Sequence, residues 1–369
     1  MLINRLRFYL PSLGLIIVWG ISVLAKLKFN GLVYGFDYGN FQPDGKYYTY
    51  RTLVFLGHSP SDAAQSVVNW YSSHGFKMNH FSTFDLTTQS SDAWRGTAPR
   101  ILYPLLSIPF VAIFGIQGML AVPAFSLLGL MFFCVYLGNF FNLKKFGFLV
   151  GGMLTLSPTV MRWMIVNCTD SLFAGLFSLS AVILLKYYRS RYSHYLIGIM
   201  VFLTSMTRFA LPIWLSISFI FLLHRRFSLC LSTSVIAIIS YIPTFLLMPK
   251  GVLLPSLGNS SGLIKALHLP LSFFKVAFFE ISELAVLDRL LLSVIALAFF
   301  ISIRDWRKSS SQYFLAVLTA VGFIGALNGT VGVNFRYQLP VIPFMLWVLF
   351  DSSIFDATRT RAEESFISE

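Results

Sequence analysis

The sequence predicts an all-α polytopic membrane protein with about ten spanning helices, and three observations carry that expectation. The chain has 369 residues, of which 56% are hydrophobic and only 12% charged, with a mean hydropathy of +0.72. A water-soluble domain of this length needs more charge to cover its surface. Apolar runs near the length of a bilayer-crossing helix recur from one end of the chain to the other. The net charge of +13 comes from 28 Lys and Arg against 15 Asp and Glu, with the basic residues gathered between apolar runs. That is the pattern of basic cytoplasmic loops and gives no support to nucleic acid as a partner.

The first span is expected over about residues 9–27. Arg5 and Arg7 precede it and hold the N-terminus in the cytoplasm. No small-residue cleavage site follows, so the run reads as a retained helix rather than a signal peptide. Residues 29–100 are polar with acids and bases nearly balanced, as expected of a large first exoplasmic loop that contains short interfacial helices.

The apolar part of "RILYPLLSIPFVAIFG", residues 101–115, is short for a span and holds Pro104 and Pro109. Counting it as a crossing would put Lys144 and Lys145 outside and invert every later basic cluster. Parity therefore makes it an interfacial or re-entrant helix. Further spans are expected near 118–141, 146–161, 170–186, 194–208, 210–224, 228–248, 286–303, 311–328 and 338–355. "KYYRSRYSH", "HRRF", "IRDWRK" and "RTR" then fall in the cytoplasm with both termini, and 249–285 is an outer connection. The chain, 1–369, reads as one membrane-embedded domain, with no internal repeat of the kind that marks many transporters.

On the outer face the chemistry centres on "FDYGNFQPDGKYYTY", which carries Asp37 and Asp44 close to the end of the first span. Asp44 in "PDGKYY" has two readings: a solvated turn aspartate, or a carboxylate held at the membrane surface as a general base. Arg100, Arg162, Arg208 and Arg336 are expected at the same face. Each is either an interface anchor or a ligand for a phosphate whose lipid chain lies between helices. Tyr47, Tyr48 and Tyr103 are either interface-belt residues or platforms for a sugar ring. His58, His74 and His80 lack the pairing of a zinc site, and Cys134, Cys168 and Cys230 read as packing residues. Asn167, Asn259 and Asn328 each open an N-x-S/T triplet. No Walker motif, no Gly-rich phosphate loop and no DxD pair is present, and no cofactor or metal is expected.

Taken in order, the motifs "PDGKYY", "PRILYPLL" (99–106), "SPTVMRWMIVNCTDSLFAGLFSLSAVILL", "FLTSMTRFALP" and the Arg336–Tyr337 pair before the last helix resemble the GT-C class of membrane glycosyltransferases. The likeness is to a bacterial group with "yDGqfYY" in the loop and "RiLYPLL" at its end. It covers the helix layout of most of the chain, though each motif is short. The resemblance implies a polyprenyl-phosphate-sugar donor taken up within the bilayer and a glycan or lipid acceptor arriving from the exoplasmic side. It implies inversion by single displacement, with Asp44 as the base and Asp37 as a second carboxylate. Arg336 and Arg208 would stabilise the leaving phosphate, and Arg100, Tyr103, Tyr47, Tyr48 and Tyr337 would line the donor and acceptor site. The loop lacks the paired Asp-Glu spelling of protein O-mannosyltransferases, which argues against a protein acceptor. No long soluble domain follows the last helix, which argues against the size class of oligosaccharyltransferases. The expected location is a bacterial cytoplasmic membrane. A flippase or transporter of a lipid-linked sugar, and a polysaccharide polymerase, are the competing classes; the first needs ionisable groups at mid-membrane, the second a large outer loop further along the chain.

Overall fold

The computed structural model describes residues 2–33, 44–73, 83–89, 94, 97–247, 262–328, 336 and 338–352. Among them every regular element is a helix. The chain opens with α1 (Leu2–Val33), and the polar segment after it folds as α2 (Gly45–Phe55), α3 (Pro60–Ser73) and the short α4 (Thr83–Thr88). A 3-10 turn at Gly115–Leu120 joins α5 (Leu102–Phe114) to α6 (Ala121–Phe140). Next come α7 (Lys144–Met153), a 3-10 turn at Leu154–Leu156, α8 (Pro158–Met164) and α9 (Thr169–Lys186). The remainder is α10 (Ser193–Ser205), α11 (Leu211–Leu223), α12 (Phe227–Leu247), α13 (Gly262–Leu287), α14 (Arg289–Arg304), α15 (Ser309–Asn328) and α16 (Val341–Phe350).

Five stretches are long and apolar enough to cross a membrane: Pro11–Lys28, Leu102–Phe140, Thr169–Lys186, Phe227–Thr244 and Ser309–Ala326. The apolar α10, α11 and α16 are shorter, at 13, 13 and 10 residues. At ~1.5 Å per residue, ten residues reach only about half the ~30 Å hydrocarbon layer. The protein is thus a helical membrane protein in which length alone accounts for only some of the expected crossings.

Two expectations meet their physical limits here. The span expected at 146–161 is broken, because Ser157 precedes Pro158 and takes an extended conformation, ψ 115°. Its hydroxyl then caps α8 by accepting from the Val160 amide at 3.1 Å. The connection expected at 249–285 contains a helix instead, α13, whose Lys265, Lys275, Glu280 and Glu283 interrupt the apolar run that would have revealed it. Residues 101–115, expected as an interfacial or re-entrant helix, form the short α5, which does not continue straight into the next helix. Gly115 adopts φ +63°, a left-handed conformation that suits glycine, and the chain reverses there. As a result the Phe110 ring lies 5.7 Å from that of Phe125, and α5 folds back on α6 as a helical hairpin.

Packing then sets where the polar groups meet. α16 is buried along almost its whole length and packs against α6, α9, α14 and α15. α1 lies at the outside, held by the Trp19 indole donating to the Ala124 carbonyl at 2.7 Å. A second, smaller core lies under α2 and α3, where Tyr48, Val67, Tyr71 and Trp94 pack with Tyr103 and Met119 of the hairpin. This core fixes the first loop onto the end of the bundle.

α6 and α7 cross closely because glycines face each other. A methyl group on Gly147 would come within 2.7 Å of the Cys134 carbonyl, and one on Gly151 within 2.9 Å of the Met131 carbonyl. Gly147→Val is expected to destabilise the protein by about 1–3 kcal/mol through overpacking. Thermal unfolding in detergent checks this against Gly152→Val, since Gly152 has open space around it.

Candidate functional site

Four distant parts of the chain converge at the N-terminal end of α9: the start of α2, the turn 165–170, the bend between α10 and α11, and the residue Arg336 ahead of α16. Asp170 sits in the first turn of α9, where the helix dipole favours a carboxylate. Arg208 lies in the bend after Ser205, ahead of Pro212 in the first turn of α11. That bend is held from α12: the Tyr241 hydroxyl accepts from the Ala210 amide at 2.8 Å and donates to the Arg208 carbonyl at 3.0 Å.

Asp170 is the hub. It forms an ion pair with Arg208, and its second oxygen accepts from Arg336 Nε at 3.0 Å. Arg336 in turn donates through Nη2 to Asp44 at 3.1 Å and to the Cys168 sulfur at 3.4 Å. Its guanidinium also lies 5.2 Å from the centre of the Trp163 ring, within cation–π range. One guanidinium therefore links a carboxylate of the first loop to a carboxylate of the bundle, 292 and 166 positions away.

The two carboxylates differ in access, and access decides their uses. The Asp170 side chain is fully buried, whereas that of Asp44 retains 41% of its exposure. Only Asp44 can meet a molecule arriving from outside the bundle. It stands just ahead of α2 but makes no side-chain cap to that helix, so its oxygens are directed at Arg336. Its neighbour Gly45 is pressed against the Asn167 amide so closely that a Cβ would overlap it. Asn167 is itself fixed by donating to the Tyr71 hydroxyl at 2.7 Å. The Asp-Gly pair thus does more than turn the chain: glycine lets Asp44 approach the bundle. Burial acts to raise the carboxyl pKa of Asp44, but Arg336, Arg100 and Arg208 outweigh it and hold the group below the ordinary aspartate range.

The other expected residues are distributed as follows. Arg100 donates to the Tyr48 hydroxyl at 3.1 Å and acts electrostatically on Asp44. Tyr48 packs edge-on against Tyr103 at 5.5 Å, and both are buried. The Tyr103 hydroxyl donates to the Met119 carbonyl at 2.7 Å, so this ring supports the wall from behind. Tyr47 is buried edge-on against Trp94, their ring centres 5.7 Å apart. Arg162 stands beside Glu283, with its guanidinium 5.9 Å from the centre of the Trp163 ring. Asp37, Tyr337, His74, His80 and Asn259 lie outside the described residues, and His58 is exposed. Asn167 is buried and hydrogen-bonded, so that sequon is closed to modification in the folded chain. Cys134 and Cys168 are buried free thiols; Cys168 is also part of the site. Among the described residues no group of three His, Cys, Asp or Glu side chains converges as a metal site would.

Asp170 is the residue of this cluster that the reading of single positions passed over. Its signal was available: an acid inside an apolar 18-residue helix, which is costly unless paired. Its partner, 38 positions on in a bend, was not readable from spacing. Comparison of the chain with protein-family models, curated proteins and solved structures gives no match.

Two outcomes follow from this geometry. Asp170→Asn strands buried Arg208 without its counter-charge and is expected to cost about 3–5 kcal/mol, whereas Asp44→Asn, at a part-exposed pair, is expected to cost at most about 1 kcal/mol. Unfolding in detergent measures both. Folding lowers the Asp44 pKa, so the stability its pairing contributes is complete above the ordinary aspartate pKa. That contribution disappears only as pH falls through the lowered value, and Asp44→Asn should remove that part of the acid sensitivity.

Proposed function

We propose that the protein is a GT-C-like glycosyltransferase that moves a sugar from a polyprenyl-phosphate donor to an exoplasmic glycan or lipid acceptor. The observation that carries this reading is the contact between a part-exposed carboxylate, Asp44, and a guanidinium, Arg336, that is itself anchored on buried Asp170. A base and a phosphate ligand are thereby held within one hydrogen bond of each other. The order and sidedness of the motifs supply the rest of the argument.

In this reading the polyprenyl chain lies in the bilayer and its phosphate reaches Arg336, with Arg208 and Arg100 adding positive field. The acceptor hydroxyl oxygen attacks the anomeric carbon, its proton passes to Asp44, and the carbon–oxygen bond to the phosphate breaks with its electrons going to the phosphate oxygen. The donor phosphodiester carries one negative charge and the departing phosphate gains a second. The arginines therefore bind the transition state more strongly than the ground state, which is the condition for catalysis. The same exchange raises the basicity of Asp44 when it is needed. Once phosphate engages Arg336, the cation that depresses the Asp44 pKa is turned elsewhere and the carboxylate becomes a better base.

The arrangement in the membrane belongs to the same proposal. About ten crossings, both termini in the cytoplasm and the site on the exoplasmic side of a bacterial inner membrane fit the positions of the basic clusters. α9 supports it: its two ends, Thr169 and Lys186, with Asp170 in the first turn, are separated by 18 residues inclusive, or about 27 Å. That separation is close to the thickness of a hydrocarbon layer.

The test is transfer of radiolabelled sugar from polyprenyl-phosphate donors to candidate acceptors by the purified protein. Asp44→Asn is expected to lower the rate by about 10²–10⁴-fold and Arg336→Lys by about 10²–10³-fold, with donor binding retained better in the first than in the second. A full rate in Asp44→Asn would remove that residue as base. Movement of lipid-linked sugar across vesicles with no new glycosidic bond would replace transfer by transport.

A further inference from the structure

At the opposite end of the bundle from Asp170, the start of α10 and the start of α12 flank an open depression. Arg189, Arg191, Arg225, Arg226 and His194 line it, and no carboxylate does. Elsewhere on the same end basic groups have local acids: Arg304 pairs with Asp305 at 2.9 Å, and Lys308 lies 3.5 Å from the same carboxylate. Arg191 donates to the Tyr192 hydroxyl at 2.7 Å and Arg226 lies 5.4 Å from the centre of the Tyr188 ring, but neither tyrosine offsets the charge, so four like charges line one hollow and an anion would relieve them.

A second observation is independent of charge. The α11 helix ends in a Schellman motif, with the Arg226 amide donating to the Phe221 carbonyl at 2.8 Å and the Arg225 amide to the Leu222 carbonyl at 2.9 Å. The residue that must turn left-handed in that motif is Arg225, φ +59°. Glycine is the residue that fits there, and an L side chain costs about 1–2 kcal/mol. The chain places an arginine at the position where its backbone is least comfortable, and that arginine is among the residues lining the basic hollow.

We propose that this hollow is a binding site for the headgroup of an acidic phospholipid with two phosphodiesters, separate from the Asp44–Arg336 site. Two phosphates match four guanidiniums better than one does, and arginine suits phosphate by its planar fork. The lipid source is favoured over a soluble phosphate by what surrounds the site. Phe227 lines the hollow and is exposed, and Tyr195, Ile199 and Leu231 continue an exposed apolar face from its edge along α10 and α12. Those two helices are joined beneath it by the His194–Ser232 hydrogen bond of 2.9 Å. Headgroup charge and acyl chains thus find their partners side by side.

The experiment is native mass spectrometry of the full chain in detergent, titrated with a diphosphatidyl phospholipid, a phosphatidylglycerol or a phosphatidylcholine, with and without inorganic pyrophosphate. The diphosphatidyl lipid is expected to bind tightest, and pyrophosphate should leave it bound. Arg225→Gly should weaken it about fivefold, the value of about one phosphate-facing charge, while Arg225→Lys, which keeps the charge but not the fork, should weaken it less. In zwitterionic detergent without acidic lipid, Arg225→Gly should melt no lower than wild type because glycine relieves the left-handed backbone. Equal binding of all three lipids, unchanged binding in Arg225→Gly, a lower melting point for that variant, or displacement by pyrophosphate would each overturn the proposal.

Discussion

The buried carboxylate of Asp170 is the constraint on which the site depends. Two arginines from distant segments enter a nearly dry bundle end, and a guanidinium there is tolerable only with a counter-charge and hydrogen-bond acceptors. Asp170 supplies one oxygen to each. The bend at Arg208 and the approach of Arg336 ahead of α16 are therefore coupled through a single side chain, and the position of Arg336 decides where Asp44 can rest. Such an ionic hub adds little net stability compared with apolar packing; its effect is to select one geometry.

The loop reaches that geometry by different means. The small core of α2, α3 and the α5–α6 hairpin holds the loop by aromatic packing, and the Leu102 amide donates to the Met206 carbonyl near the Arg208 bend. Buried Arg51 adds a cation–π contact over Trp94 at 4.4 Å and bonds the Thr97 carbonyl. Thus the tyrosines of "GKYYTY" largely build the platform, while the aspartate ahead of them faces the arginines. Near the opposite end of α8 from Trp163, Asp288 accepts from Ser157, from the Thr159 amide at 3.1 Å and from the Leu291 amide at 3.0 Å. One aspartate caps two helix starts and fixes α8, and through it Trp163, relative to α14.

Much of this was readable from the residues. Apolar runs placed α1, α6, α9, α12 and α15, and the asymmetry of Lys and Arg separated the two polar ends of the bundle. Asp44 and Arg336 stood out because charge is scarce in this chain. What stayed hidden depends on contacts between distant segments. The partner of Asp170 is set by a bend, and the break at Ser157–Pro158 is a local proline effect inside a run that reads as apolar. The helix Gly262–Leu287 was masked by its own charges. Tyr103 could be read from the sequence as an interface-belt residue or a platform for a sugar ring; neither reading shows that its hydroxyl is used within the hairpin.

The central claim is that the first loop and the segment before the last helix meet at one outward-facing point. It is tested most directly by introducing Asp44→Cys and Arg336→Cys together in a chain whose Cys134, Cys168 and Cys230 are replaced by serine. A short, membrane-impermeant thiol cross-linker is then applied to each face of oriented vesicles. The account predicts rapid cross-linking from the exoplasmic face and none when either cysteine is omitted. Cross-linking only from the cytoplasmic face, or none from either face with both thiols reactive, would contradict it.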